Sequence, residues 1–188
     1  LAYPCPLTGV VIVFEGGDGG GKSTQVGRLV DSLRAGGHTV VATREPGGTR
    51  IAEKIRHVIL DPENVELCDR AEALLYAASR AEHVHHVVKP ALERGEIVGS
   101  DRYMDSSVIY QGLGRGLGAE EVRELNLWAT EGLRPDLTIV LDVPVDFFTL
   151  IVGRPLTRVD GMKAHFRSLR STTTRDRQKA LAFIEQVW

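Results

Sequence analysis

The sequence predicts an α/β fold in which a central, largely parallel sheet carries helices on both faces. Three observations lead there. Strand-like and helix-like patterns alternate from the start of the chain. The first strand-like run, Val10-Val11-Ile12-Val13-Phe14, is continuously apolar, as a strand covered on both faces must be. A glycine-rich turn follows it and opens onto an amphipathic helical pattern.

The elements then follow in order. Val26, Leu29, Val30 and Leu33 recur at helical spacing, and Gly36-Gly37 ends that helix. Thr39 to Thr43 reads as the second strand. Thr49 is placed to cap a helix whose Ile51, Ile55, Val58 and Ile59 share one face, and Asp61-Pro62 stops it. Asp69 begins a longer helix, with Glu72 three residues on as in a capping box; it can run to about Glu93, with Pro90 expected to kink or shorten it. Ile97 to Ser100 makes a third strand, helical patterns follow near Ser106 to Tyr110 and Glu120 to Thr130, and Leu137 to Leu141 makes a fourth strand.

With 188 residues, 43% of them hydrophobic and 26% charged, the chain is long enough for one domain with a substantial core. Residues 1–188 are read as that single domain, since no repeat and no linker divides them. No apolar run reaches the length of a membrane span, and no basic region followed by a long apolar stretch opens the chain, so the expected compartment is the cytoplasm. Cys5 and Cys68 lie far apart with no second thiol or histidine at metal spacing and are read as unremarkable reduced thiols. Lys plus Arg is 23 against 25 for Asp plus Glu, a balance that argues against a nucleic-acid binder. The distribution is uneven: residues 151–188 carry eight basic and three acidic side chains.

The strongest chemical signal is Gly16-Gly17-Asp18-Gly19-Gly20-Gly21-Lys22-Ser23, followed by Thr24, which fits G-x-x-x-x-G-K-[ST] between an apolar strand and a helix. Its glycines let backbone N–H groups turn inward around phosphate oxygens, and the helix start adds partial positive charge. Lys22 is the expected partner of the β and γ phosphates, and Ser23 the expected ligand of Mg²⁺. The loop alone leaves a kinase, a GTPase, a motor and an ATP-driven binder open. An Asn-Lys-x-Asp segment of the kind that reads guanine is absent, which argues against a GTPase switch.

Three further segments fall after strands: Thr43-Arg44-Glu45-Pro46-Gly47-Gly48-Thr49, Asp101-Arg102-Tyr103, and Ser106-Ser107-Val108-Ile109-Tyr110-Gln111-Gly112. In an open α/β sheet such segments gather beyond the C-terminal strand ends, beside the phosphate loop. Together with Leu133-Arg134-Pro135-Asp136-Leu137-Thr138, their order and spacing resemble the thymidylate kinase family over residues 9–143. The resemblance implies a P-loop kinase fold, ATP-dependent phosphorylation of dTMP to dTDP, and a homodimer. It implies that Asp101 holds the Mg²⁺ shell and that Arg102 grips the acceptor phosphate. It further implies that Tyr76 stacks on thymine, where the family usually has Phe, and that Arg80, four residues on, bonds a thymine carbonyl. Asp18 resembles the residue near the sugar 3′-hydroxyl, Ser107 and Tyr110 correspond to positions on the sugar's 2′ side, and Arg44 and Pro46 flank the acceptor.

From the residues alone plainer readings stay open. Asp101-Arg102 can be a surface ion pair, Tyr76 a core side chain, and Arg80 or Arg44 a solvated charge. His83, His85 and His86 are read as surface residues, because no carboxylate partner is evident.

Beyond residue 143 the resemblance fails. No clear fifth strand appears, and residues 144–188 are expected to include a lid. Gly19 stands where one subgroup carries a catalytic arginine, so the lid should supply that cation, with Arg154 and Arg158 as candidates by location and charge. A solvated basic face is the plainer reading of either. Residues 162–169 and 175–187 are expected to be helical. Two competing functions remain at this stage: a kinase for another nucleotide, and a nucleotide-binding protein whose divergent tail has weakened or cost it activity.

Overall fold

The computed structural model describes residues 7–142. Cys5, Arg154 and Arg158, and the helices expected over 162–169 and 175–187, lie outside the described residues. Four parallel strands form one sheet in the order β2-β3-β1-β4, where β1 is Val10–Gly16, β2 Val40–Arg44, β3 Ile97–Asp101 and β4 Leu137–Leu141.

The unbroken apolar run of β1 is explained by its central position. Val10, Ile12 and Phe14 face helix α1 (Lys22–Ala35), meeting Val26, Leu29, Val30 and Leu33. Val11 and Val13 face the other way, onto Val84, Val88, Ala91 and Leu92. Each of the Val, Leu, Ile and Phe side chains among these contributes about 1.5–3 kcal/mol by leaving water, so the layers on either face together hold the sheet. Asp136 anchors the turn into β4: its carboxylate accepts from Val11 N at 2.9 Å, and its own N–H donates to Val11 O at 2.9 Å.

Register decides where function can gather. Phe14 pairs with Asp101, and Asp101 with Arg44, so the residues just beyond these three strands emerge along one C-terminal edge.

The connecting helices follow the sequence pattern with four differences. First, the long helix does reach Glu93, but in three pieces: α3 (Asp69–His83), a π-helical turn Val84–Val88, and α4 (Lys89–Glu93). Pro90 sits at the start of α4, and the wider turn before it accommodates a residue that lacks an N–H. Second, no capping box forms at Asp69. Cys68 occupies the cap position without a side-chain bond, while the Glu72 carboxylate accepts from Gln111 at 2.8 Å and Arg115 at 2.9 Å. Third, in α2 (Arg50–Leu60) only Ala52 is buried, and Ile51 and Val58 are exposed, so the expected apolar face does not enter the core. Thr49 does cap α2, its Oγ1 accepting from Ala52 N at 3.0 Å. Fourth, the helix expected near Ser106 begins at Met104: α5 (Met104–Ser107) continues as a π-helical turn over Val108–Gly114, followed by α6 (Ala119–Ala129).

Among the described residues no helix is long and apolar enough to cross a membrane.

Candidate active site

A cleft of about 850 Å³ opens along the C-terminal edge of the sheet, bounded by the glycine loop, the end of β2, helix α3 and the segment after β3. The loop leaves β1 at Gly16, whose φ of +140° and close approach to the Leu141 carbonyl exclude a side chain; an added Cβ would lie 2.7 Å from that oxygen. Gly17, Asp18, Gly19 and Gly20 carry the chain round to Gly21, which caps α1 at φ +85°. Asp18, Gly19, Gly21, Lys22, Ser23 and Thr24 line the cleft.

Lys22 is buried, and its ammonium donates to Gly16 O at 3.0 Å and Gly17 O at 2.6 Å. It thus lies folded over the loop that is expected to hold phosphate. Burial pushes its pKa below the usual lysine value and Arg102 adds repulsion, while Asp101 and Asp18 oppose the shift.

Across the loop, Ser23 Oγ donates to Asp101 Oδ2 at 2.5 Å. Two oxygen donors meeting at the loop mouth suit Mg²⁺, a hard cation that is commonly held by one or two protein oxygens, substrate phosphates and water.

Arg102 leaves the end of β3 with φ +73°, a left-handed conformation that residues with side chains seldom adopt. Its Nη2 donates to Asp18 Oδ1 at 2.5 Å and its Nη1 to Ser106 Oγ at 2.8 Å, and its guanidinium lies 5.5 Å from the centre of the Tyr110 ring. The charge is therefore directed from β3 towards the glycine loop. Asp101-Arg102 is not a surface ion pair: Asp101 bonds Ser23 and Arg102 bonds Asp18.

Tyr76 lines the cleft from α3, and burial raises its phenol pKa, with Glu72 adding to the shift. Arg80, one turn on, also touches the cleft but is 3% exposed, so it is no solvated charge. Its Nε donates to Glu45 Oε2 at 2.6 Å, Nη2 to Tyr103 O at 3.0 Å, and both terminal nitrogens reach Ser107 Oγ at 3.3 Å; Nη1 also bonds Asn126 Oδ1. Ser107 is buried with it, while Tyr110 is exposed at the cleft rim.

Arg44 lines the cleft at half exposure. It is fixed by Glu53 at 3.0 and 3.1 Å and by the Pro46 carbonyl, which also accepts from Arg56 at 2.8 Å.

Four residues that matter here carried no local signal. Glu15, Glu45 and Asn126 are buried polar side chains, and each bonds a residue of the cleft. His83 corrects the surface reading: it is fully buried, with Nδ1 2.8 Å from Glu45 Oε1 and Nε2 2.7 Å from Thr43 Oγ1. Gly48 makes room for it, since a Cβ there would lie 2.7 Å from the His83 ring. Burial alone would raise the Glu45 carboxyl pKa, but the Arg80 charge and the bonds from His83 and Arg80 outweigh it and hold it below the ordinary value. His86, by contrast, is exposed and lies 3.5 Å from Glu82 on its own helix.

A parallel sheet whose first strand feeds a glycine loop and a Lys-Ser helix start, with an arginine aimed back at that loop from a neighbouring strand, defines a P-loop phosphotransferase. Comparison with known proteins narrows the class. The family model for thymidylate kinase matches residues 14–175, a match that extends past residue 143, where the sequence motifs stop, and the chain belongs to the thymidylate kinase family. It is 54% identical over 164 residues to thymidylate kinase from Leifsonia xyli subsp. xyli, covering 87% of this chain and 78% of the relative. It is 47% identical over 183 residues to thymidylate kinase from Lactobacillus delbrueckii subsp. bulgaricus, covering 97% and 80%. The crystal structure of thymidylate kinase from Ehrlichia chaffeensis superposes with a TM-score of 0.68 at 37% identity, covering 76% of this chain and 81% of that one.

Proposed function

We propose that this chain, acting as one P-loop kinase domain, transfers the γ-phosphoryl group of ATP to dTMP, giving dTDP and ADP. The observation that carries the reading is the Arg102–Asp18 contact, which brings the acceptor-side cation against the glycine loop within one cleft. Its relatives, named thymidylate kinase and about half identical over most of the chain, favour this reaction over the two alternatives left open by the sequence.

In this reading the backbone N–H groups from Gly16 to Thr24 cradle the ATP phosphates, and the Lys22 ammonium swings from its carbonyl partners onto the β and γ oxygens. Arg102 holds the acceptor phosphate by two charge-assisted bonds, and Asp18 stands beside the sugar's 3′-hydroxyl. Tyr76 stacks on thymine, with Arg80 as the polar end of the base pocket. Tyr110, with Ser107, crowds the 2′ side of the sugar, and Arg44 and Pro46 flank the acceptor. Bound Mg²⁺ would be held by Ser23 and Asp101 and would neutralise phosphate charge. Asp101 is an electrostatic and metal-positioning group and not a base, because the attacking phosphate oxygen is already ionised near neutral pH. The protein's work is positioning and charge neutralisation between two polyanions.

Arg154 and Arg158 are the lid candidates; replacing each separately should lower turnover in the one that supplies the cation, and full activity in both would remove them. The homodimer and the cytoplasmic location belong to the same reading. The exposed apolar side chains Ile51 and Val58, on one face of α2, offer a surface for self-association, which sedimentation would detect.

The reaction is tested by incubating the protein with dTMP, Mg²⁺ and ATP labelled in the γ-phosphate. Label should appear in dTDP and be lost with Lys22→Ala. Label released only as inorganic phosphate would contradict the transfer.

A further inference from the structure

We propose that Glu15 is a positioning residue that holds Arg102 in its phosphate-gripping orientation through the hydroxyl of Ser106; the proposal rests on the dTMP kinase reading given above. Glu15 follows Phe14 near the end of β1 and is 6% exposed. A carboxylate at such a place is costly unless it is hydrogen-bonded, and among the described residues Glu15 makes no direct ion pair. Instead it accepts three bonds from the segment after Arg102: Tyr103 N at 2.9 Å and Ser106 N at 3.3 Å on Oε1, and Ser106 Oγ at 2.5 Å on Oε2.

The direction of the last bond matters. A serine hydroxyl has one proton; donated to Glu15, it leaves the oxygen lone pairs facing the Arg102 Nη1, which donates to the same oxygen at 2.8 Å. The chain Glu15–Ser106–Arg102 therefore has a single sense and ends on a guanidinium that meets Asp18 of the glycine loop. The Arg102 backbone is secured in parallel, its N–H donating to Phe14 O at 2.9 Å and its carbonyl accepting from Ser100 Oγ at 2.8 Å. Consecutive residues of β1 thus fix the backbone and the side chain of one arginine held at a strained φ of +73°. Glutamine at position 15 keeps the shape but offers one acceptor oxygen where the carboxylate offers two, and cannot satisfy Tyr103 N and the Ser106 hydroxyl with separate oxygens.

The test compares wild type, Glu15→Gln, Ser106→Ala and the double variant, with the Michaelis constants for dTMP and ATP measured separately at about pH 8, where the Glu15 carboxyl, raised by burial to about 7, is mostly ionised. Each single variant should raise KM for dTMP about tenfold and leave KM for ATP within about twofold, the scale of one lost charge-assisted bond. The double variant should be no worse than the worse single one, because both act through the same contact. Single effects that multiply, an equal rise in both Michaelis constants, or an unchanged KM for dTMP would overturn the proposal. Should Glu15→Gln fail to fold, as judged by thermal melting, Ser106→Ala decides alone: its side chain is half-buried, and an unchanged KM for dTMP would overturn the proposal. A wild-type protein that does not phosphorylate dTMP would overturn the underlying reading and this proposal with it.

Discussion

Arg80 and Glu45 meet at 2.6 Å with side chains only 3% and 2% exposed, joining the last turn of α3 to the residue just past β2. Neither charge could occupy that position alone; His83 adds a bond to Glu45, and Asn126, Ser107 and the Tyr103 carbonyl accept from Arg80. The pair sets the orientation of an arginine that lines the cleft.

Breaking it should cost far more than breaking a surface pair. Glu45→Ala is expected to lower the unfolding free energy by about 3–5 kcal/mol, because it leaves the Arg80 charge buried without its counter-ion. Urea denaturation measures this directly. A loss below about 1 kcal/mol, the range of exposed pairs, would show that the guanidinium finds water instead.

The Glu15 carboxyl gives stability a pH signature. Burial pushes its pKa from the ordinary 4.5 up to about 7, against the bonds from Ser106 and Tyr103 that favour ionisation. A carboxyl raised in the folded state stabilises the fold most below its unfolded pKa, and that contribution fades as pH rises through about 7. The stability of the wild type relative to Glu15→Gln should therefore fall between about pH 4.5 and 7 by on the order of 3 kcal/mol and then level off. A difference that is flat or grows over that interval would mean that Glu15 is ionised throughout.

Arg102→Ala should raise KM for dTMP and lower turnover, reducing kcat/KM about 10–100-fold, the worth of one or two charge-assisted bonds. Steady-state kinetics with dTMP varied at saturating ATP reads both terms. An unaffected enzyme would remove Arg102 from the acceptor site.

Lys22→Ala should act on turnover above all. Losing a preorganised cation at the transferring phosphate is expected to lower kcat about 100–1000-fold, with little change in KM for dTMP. A variant that keeps kcat but loses affinity for dTMP would put Lys22 on the wrong side of the cleft.

What could be read from the sequence was what is local in the chain. The apolar run of β1, the glycine loop with its Lys-Ser pair and the Thr49 cap each declare themselves within a few residues, and each stands where expected. The cleft's supporting shell does not. His83 sits among other histidines in a polar-looking stretch, and its burial is decided by Thr43 and Glu45, 40 and 38 residues away. Glu15 depends on Ser106, 91 residues on, and Arg80 depends on Asn126, 46 residues on. The Glu72 pattern failed for the same reason: distant Gln111 and Arg115 compete for a carboxylate that local spacing assigned to a helix cap.

The base pocket proposed on Tyr76 and Arg80 would distinguish a dTMP kinase from other members of the P-loop class, so acceptor preference is the decisive measurement. ADP release with Mg²⁺-ATP should be compared across dTMP, dUMP, UMP, CMP, AMP and GMP. Clear preference for dTMP is expected, with UMP and CMP disfavoured by crowding at Ser107 and Tyr110. Preferred turnover of any other acceptor would keep the fold and contradict the pocket.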